Sequence, residues 1–159
     1  MIQLFNDLTN QLEEFEPIDT NKVRMYVCGP TVYDSPHLGH ARSAVSFDLI
    51  RKYFEYKGFD VHFVMNYTDV DDKMIKRAYL RGISIKELAK QYIQEYEQMQ
   101  QALKIKNPTE KPRATEEIPA MIKFIKKLEK KGFTYTVEGS VYFDTSKMEG
   151  YDSLFQYKN

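Results

Sequence analysis

Hydrophobic and polar positions in this chain follow two periods. Residues 23–28 (VRMYVC) form a short apolar run closed by Gly29-Pro30, which marks a buried strand. Beyond the loop GPTVYDSPHLGH, Ala41, Ala44, Val45, Leu49, Ile50, Tyr53 and Phe54 recur at helical spacing, and Gly58 stands where a helix would stop. Residues 60–66 (DVHFVMN) alternate weakly and read as a second strand. Strand, helix, strand in this order predicts a parallel pair joined by a right-handed crossover, hence an α/β fold.

Further along, residues 71–79 predict a short helix, with Thr68 or Asp69 as its cap. Ser84 and Glu87 have the spacing of a capping box, and Ile85, Leu88, Tyr92, Tyr96, Met99 and Leu103 continue as a helical stripe. Residues 107–112 break the chain. Ile118, Met121, Ile122, Ile125 and Leu128 predict a third long helix ending at Gly132. The segment TYTVEGSVYFD then reads as two short strands around Glu138-Gly139. This change of style places a domain boundary near residue 132. No internal repeat or low-complexity segment is present.

At 159 residues the chain holds one domain, or one domain and part of another. Its 42% apolar and 29% charged residues are those of a globular protein, and most of its twelve Tyr and ten Phe rings are expected in a core. No apolar run approaches a membrane span, and the N-terminus lacks a signal-peptide pattern, so a cytoplasmic location is expected. The single Cys28 rules out an intrachain disulfide and fits a reducing compartment. The formal net charge is zero, but residues 104–131 carry nine Lys or Arg against four Glu. Such a stretch could meet RNA phosphates or be the solvated face of a helix.

Three clusters could carry chemistry. His37-Leu38-Gly39-His40 follows a strand and opens a helix, where outward amides favour an anion and Gly39 lets a ligand approach the backbone. Two imidazoles added to those amides suit charge developing on a phosphorus centre, although two surface histidines would give the same spelling. Cys28 lies at the carboxyl end of the first strand, the edge where open α/β sheets bind ligands. Its thiolate could ligate zinc, or its side chain could be a small buried hydrophobe. With no second Cys, and with His62 as the remaining His, no complete structural zinc site can be assembled. The run Asn66-Tyr67-Thr68-Asp69-Val70-Asp71-Asp72-Lys73 ends the second strand and puts polar groups on the same edge. Its spacing is not that of a calcium loop. P-loop, GxGxxG and GxSxG patterns do not occur.

In combination, MYVCGPTVYDSPHLGHARSAVSFDLI, NYTDVDDKMIKRA and PRATEEI resemble the cysteinyl-tRNA synthetases, from the start of the chain to about residue 157. The resemblance implies a Rossmann-like parallel sheet of the class I synthetase type. Residues 1–131 would be the N-terminal half of the catalytic domain, and residues 132–159 the truncated beginning of an inserted connective domain. It implies activation of cysteine by ATP, with Mg, to cysteinyl-adenylate and transfer of the acyl group to tRNA(Cys). His37 and His40 would be catalytic within the family's HIGH signature. Leu38 would stand for Ile at a packing position. Thr31, His37, Leu38, Gly39 and His40 would bind ATP, and Cys28, Gly29, Thr31 and Thr68 would bind cysteine. Cys28 would be one ligand of the zinc of the complete enzyme.

The family's other zinc ligands, its KMSKS loop and its anticodon-binding domain fall beyond residue 159, and Ser146-Lys147-Met148 is a superficial echo of KMSKS. The chain by itself is therefore expected to be inactive, to hold little zinc, and to need a downstream complementary half as partner. It is also expected to leave a strand edge and the rings of residues 92–99 uncovered. Other readings stay open at this level. They are a truncated paralogue acting as a nucleotide-binding or regulatory module, a cysteine–amino-sugar ligase of the same family, and a small nucleotidyltransferase using HxGH.

Overall fold

The computed structural model describes residues 2–151. In chain order its elements are β1 (Gln3–Asn6), β2 (Gln11–Glu14), β3 (Lys22–Val27), α1 (Leu38–Tyr56), β4 (Asp60–Met65), α2 (Asp72–Arg81), α3 (Ile85–Ala102), α4 (Ala114–Lys130), β5 (Thr134–Val137) and β6 (Ser140–Phe143). They fall into two units, one of Pro17–Ile118 and one of the described residues up to Glu16 and from Pro119 onward.

The larger unit is built on the predicted strand–helix–strand. β3 and β4 pair in parallel, with Val23 opposite Val61 and Val27 opposite Met65, and α1 crosses between them. Val23, Val27, Val61, Phe63 and Met65 are buried, so the period-two pattern delivers one face of each strand to the core. α1 begins and ends near the expected positions, and Gly58 has the left-handed φ of +89° that a stop after Lys57 requires.

The inward face of α1 differs from the predicted stripe. Ala44, Asp48, Arg51 and Phe54 are buried, whereas Val45, Leu49, Ile50 and Tyr53 are exposed. The two charged residues point inward because they satisfy backbone there. Asp48 Oδ1 accepts from the Lys106 amide at 3.1 Å, and Arg51 donates to the Asn107 carbonyl at 2.6 Å while lying over the Phe63 ring. Buried charge is tolerated where every polar group finds a partner.

Residues 107–112, read as a break, instead lengthen the sheet. Thr109 N–H donates to the Phe63 carbonyl, Met65 N–H to Glu110, Tyr67 N–H to Pro112 and Ala114 N–H to Tyr67. This stretch runs parallel to β4 along its outer edge, where Pro108 and Pro112 cost no ladder bond. The capping expectation also needs correction. Asp71 caps α2 by accepting from the Lys73 amide at 2.8 Å. Asp69, 5% exposed, reaches instead to the start of α4 and accepts from the Thr115 amide at 2.9 Å and the Thr115 hydroxyl at 2.6 Å. A buried carboxylate at a helix N-terminus is favoured by the dipole, so one residue joins the end of β4 to a helix more than forty positions away.

The capping box of α3 forms as predicted, with Ser84 and Glu87 bonding each other's backbone. Its stripe closes the core. Leu88 is fully buried and Tyr92 and Tyr96 are 5% exposed, so these rings are covered within this unit and do not await another half. Most of the other rings are not core. Among the described residues Phe5, Tyr26, Tyr53, Tyr56, Tyr79, Phe124, Tyr135, Tyr142 and Tyr151 are exposed, which overturns the expectation from composition.

The smaller unit holds two hairpins. β1 and β2 pair antiparallel around a turn in which Asn10 has φ +57°, a hairpin that the sequence reading passed over. β5 and β6 meet at Glu138 and Gly139, both with positive φ, as a two-residue hairpin turn requires. Lys147, in the KMSKS echo, donates to the Gly132 carbonyl at 2.8 Å. Of the expected connective domain, residues 152–159 lie outside the described residues. Among the described residues no helix is long and apolar enough to cross a membrane.

Leu88, with no exposed surface at the centre of the α3 packing, sets the scale of stability in the larger unit. Replacing it by Ala is expected to lower the unfolding free energy by about 2–5 kcal/mol through lost burial and the cavity left behind. Urea titration monitored by Tyr fluorescence or circular dichroism would measure it.

Candidate active site

Past their last paired residues, β3 and β4 stay locked together. The Gly29 amide donates to Asn66 Oδ1 at 2.9 Å, and Asn66 Nδ2 donates to the Thr68 hydroxyl at 3.3 Å. The Thr68 amide then donates to the Pro30 carbonyl, and the Val32 amide to the Thr68 carbonyl, each at 3.1 Å. Thr31 and Thr68 thus stand side by side in a parallel bridge, pinned by Val32, which is 2% exposed. Only Gly fits at position 29, because a Cβ there would lie 1.6 Å from the Asn66 carbonyl oxygen. Four predicted site residues, Cys28, Gly29, Thr31 and Thr68, therefore share the carboxyl edge of the sheet. Asn66, which holds two of them, was part of the motif that pointed here but was not singled out. Its signal was its place as the first polar residue after the apolar strand.

Cys28 is exposed, which removes the buried-hydrophobe reading. For zinc the fit fails. Among the described residues no group of three His, Cys, Asp or Glu side chains comes together, and one thiol cannot replace the three protein ligands a catalytic zinc needs.

The second part of the site is the start of α1. His37 is its N-cap, in extended conformation at φ −114° and ψ 176°, and its Nδ1 accepts from the Gly39 amide at 3.1 Å. The His37 amide in turn donates to Nδ1 of His40 at 3.1 Å. This is a capping box made by two imidazoles where Ser and Glu usually serve. It has a chemical consequence. An Nδ1 that accepts carries no proton, so in a neutral ring the proton sits on Nε2. Both histidines are held as Nε2–H donors, with ring centroids 4.0 Å apart. Burial, and then the charge of His37, push the His40 pKa below its ordinary value of 6.5.

Leu38 is 84% exposed, contrary to the packing role expected of it. It occupies the first turn of α1, directed away from the core face that Ala44 and Phe54 define. His40 meets the edge of the Tyr96 ring, and Pro30, Thr31, Val32, Asp34, Pro36, His40, Tyr92 and Tyr96 line one small cleft. His40 and Thr31 thus border a common space.

The family described as "tRNA synthetases class I (C) catalytic domain" matches residues 14–159. The chain belongs to that family. Its relatives include a cysteine–tRNA ligase of Caldicellulosiruptor saccharolyticus, 52% identical over 96% of this chain and 33% of the relative's length. Another, from Clostridioides difficile, is 51% identical over 96% of this chain. A third, from Thermococcus gammatolerans, is 50% identical over 99% of this chain and 33% of its own length. This class I (C) synthetase chain thus spans about a third of those relatives. Mycobacterium tuberculosis methionyl-tRNA synthetase in complex with methionyl-adenylate superposes with a TM-score of 0.67 at 22% identity, over 72% of this chain and 23% of that one. That likeness establishes the class I Rossmann-like fold for the synthetase chain.

The capping box makes a pH prediction. An imidazole whose pKa is lower in the folded than in the unfolded state binds its proton more weakly when folded. Its contribution to stability is intact above 6.5 and is lost as pH falls through 6.5 toward the lowered folded value. The thermal midpoint is expected to fall across that window, and less so in His40→Gln, whose amide oxygen accepts at the same capping position without titrating. Long-range 1H–15N correlation spectra at neutral pH are expected to show both imidazoles as Nε2–H tautomers.

Proposed function

We propose that these residues are the N-terminal catalytic portion of a cysteine–tRNA ligase, which activates cysteine with ATP and passes it to tRNA(Cys). Support comes from about 50% identity to cysteine–tRNA ligases across nearly the whole chain. The observation that carries the chemistry is the pair of Nε2–H donors at the start of α1, beside the Thr31–Thr68 bridge. In this reading His37 and His40 are catalytic and donate to phosphate oxygens as the cysteine carboxylate attacks the α-phosphorus. Neutral donors suit that task, since charge grows on those oxygens in the transition state and fixed dipoles stabilise it without reorganising. Thr31, Leu38 and Gly39 complete the ATP site. Gly39 suits close approach, since a Cβ there would meet the His37 ring at 2.9 Å.

Cys28, Gly29, Thr31 and Thr68 form the cysteine side of the pocket in this proposal. No step is routed through a metal, because Cys28 lacks companion ligands among the described residues. Zinc, Mg and tRNA contacts belong to the complete ligase, as does a complementary downstream portion as partner. Residues 1–131 then form the first half of the catalytic domain and residues 132–159 the beginning of the connective domain. The rival readings as regulatory paralogue or amino-sugar ligase gain no observation in their favour.

Two measurements test the proposal. The isolated chain is expected to bind ATP with a dissociation constant in roughly the millimolar range, about −4 kcal/mol, and micromolar binding in calorimetry would contradict the assignment of only part of the site to these residues. Mixed with the separately expressed remainder of the Caldicellulosiruptor relative, it is expected to support cysteine-dependent exchange of pyrophosphate into ATP. His40→Ala should depress that exchange by about a hundredfold or more, the usual cost of a lost transition-state donor. Exchange indifferent to cysteine, or to His40, would remove the ligase reading.

A further inference from the structure

Between the threonine bridge and the two histidines the chain crosses Tyr33, Asp34, Ser35 and Pro36. Three consecutive side chains of this loop are each gripped by a helix distant in sequence. Lys73 of α2 lies 5.4 Å above the Tyr33 ring. Arg77, one turn further along α2, donates to Asp34 Oδ1 at 2.8 Å. The Ser35 hydroxyl donates to Glu95 of α3 at 2.6 Å. Asp34 also accepts from the Ser35 amide at 2.9 Å, so the two anchors share one turn of backbone. Glu95 is itself oriented by a bond from Gln91 Nε2 at 2.9 Å.

The spacing is what makes these contacts a device. Lys73 and Arg77 are four apart on α2, so they stand on one face and meet adjacent residues of the loop. α2 and α3 pack on each other, and Met74 and Ala78 of α2 and Leu88 of α3 are buried, so the two grips come from one packed wall. The loop they hold leads through Pro36 directly into His37, whose amide is one half of the imidazole capping box. A shift at Asp34 or Ser35 therefore moves both donors.

We propose that Arg77 and Glu95, with Lys73, are positioning residues that clasp the loop Tyr33–Ser35 and thereby set the orientation of His37 and His40 toward substrate phosphate. This rests on the role given above to the two histidines. Each contact is exposed and individually weak, as surface ion pairs are, and the constraint comes from three of them on three successive residues. The clasp also gives a use to Lys73, which the sequence offered only as the end of the run after the second strand, and to its helix neighbour Arg77.

The test uses the whole chain, labelled with 15N. In Arg77→Ala/Glu95→Ala the imidazole resonances of His37 and His40 are expected to shift while the backbone amide spectrum of β3 and β4 stays in place. The affinity for ATP, followed through the same resonances, is expected to fall about threefold to tenfold. Glu95→Gln, whose amide oxygen still accepts from Ser35, should behave as the parent protein. The exchange Asp34→Arg/Arg77→Asp, which restores the pair in reverse, should recover most of the imidazole shift lost in Arg77→Asp. Unmoved imidazoles in the double Ala variant would overturn the clasp, as would a Glu95→Gln variant indistinguishable from Glu95→Ala. If the parent chain shows no ATP binding at all, the nucleotide reading of the site fails, while the ligand-free imidazole resonances still decide the clasp.

Discussion

The parallel pairing of β3 with β4 does not stop where the strands stop. It continues through the Asn66 side chain to the Gly29 amide and through two backbone bonds between Thr68 and residues 30 and 32. This zipped edge is possible because position 29 has no Cβ, so the Asn66 carbonyl can approach to a distance no other residue would allow. Every residue proposed above to face ligand in this unit hangs from it. Cys28 and Thr31 lie on one side of the zip, Thr68 on the other, and the loop to His37 leaves from Val32, the buried end of the seam.

The seam also organises the rest of the larger unit. Asp69 follows Thr68 and turns inward to hold the first turn of α4, so the end of β4 fixes a helix that begins at Ala114. Asp71, two residues on, caps α2. A run of acids that could have been a metal site is thus divided between two helix starts, each offering free amides and a favourable dipole. On the opposite flank, Arg51 and Asp48 tie α1 to residues 106–107, which aligns residues 109–113 as a further parallel segment beside β4.

The histidine pair shows how local structure and chemistry constrain each other. Two imidazoles that cap a helix with Nδ1 have only Nε2 left for a ligand, and it must carry the proton. The cap costs nothing in function if donors are what the ligand needs, as a phosphate does. A base would be poorly served by the same arrangement. Burial of His40 against Tyr96 strengthens the choice by disfavouring the charged ring.

The sequence by itself determined the βαβ unit, the box at Ser84 and Glu87, the β5–β6 turn, and the residues that stand at the carboxyl edge of the sheet. These are set by short-range rules: apolar periodicity, capping chemistry and the φ demanded of Gly and its neighbours. It did not determine which face of α1 turns inward, since Asp48 and Arg51 become core residues only by meeting backbone more than fifty positions away. Nor did it separate Asp69 from Asp71 as caps, or reveal residues 109–113 as strand-like, because both depend on where β4 ends in space. The β1–β2 hairpin lacked a strong turn signature, and Leu38 looked apolar enough to pack. Tertiary structure decided those, together with the meeting of Tyr33, Asp34 and Ser35 with α2 and α3. Side chains separated by forty to sixty residues meet only after the sheet has brought their backbones together.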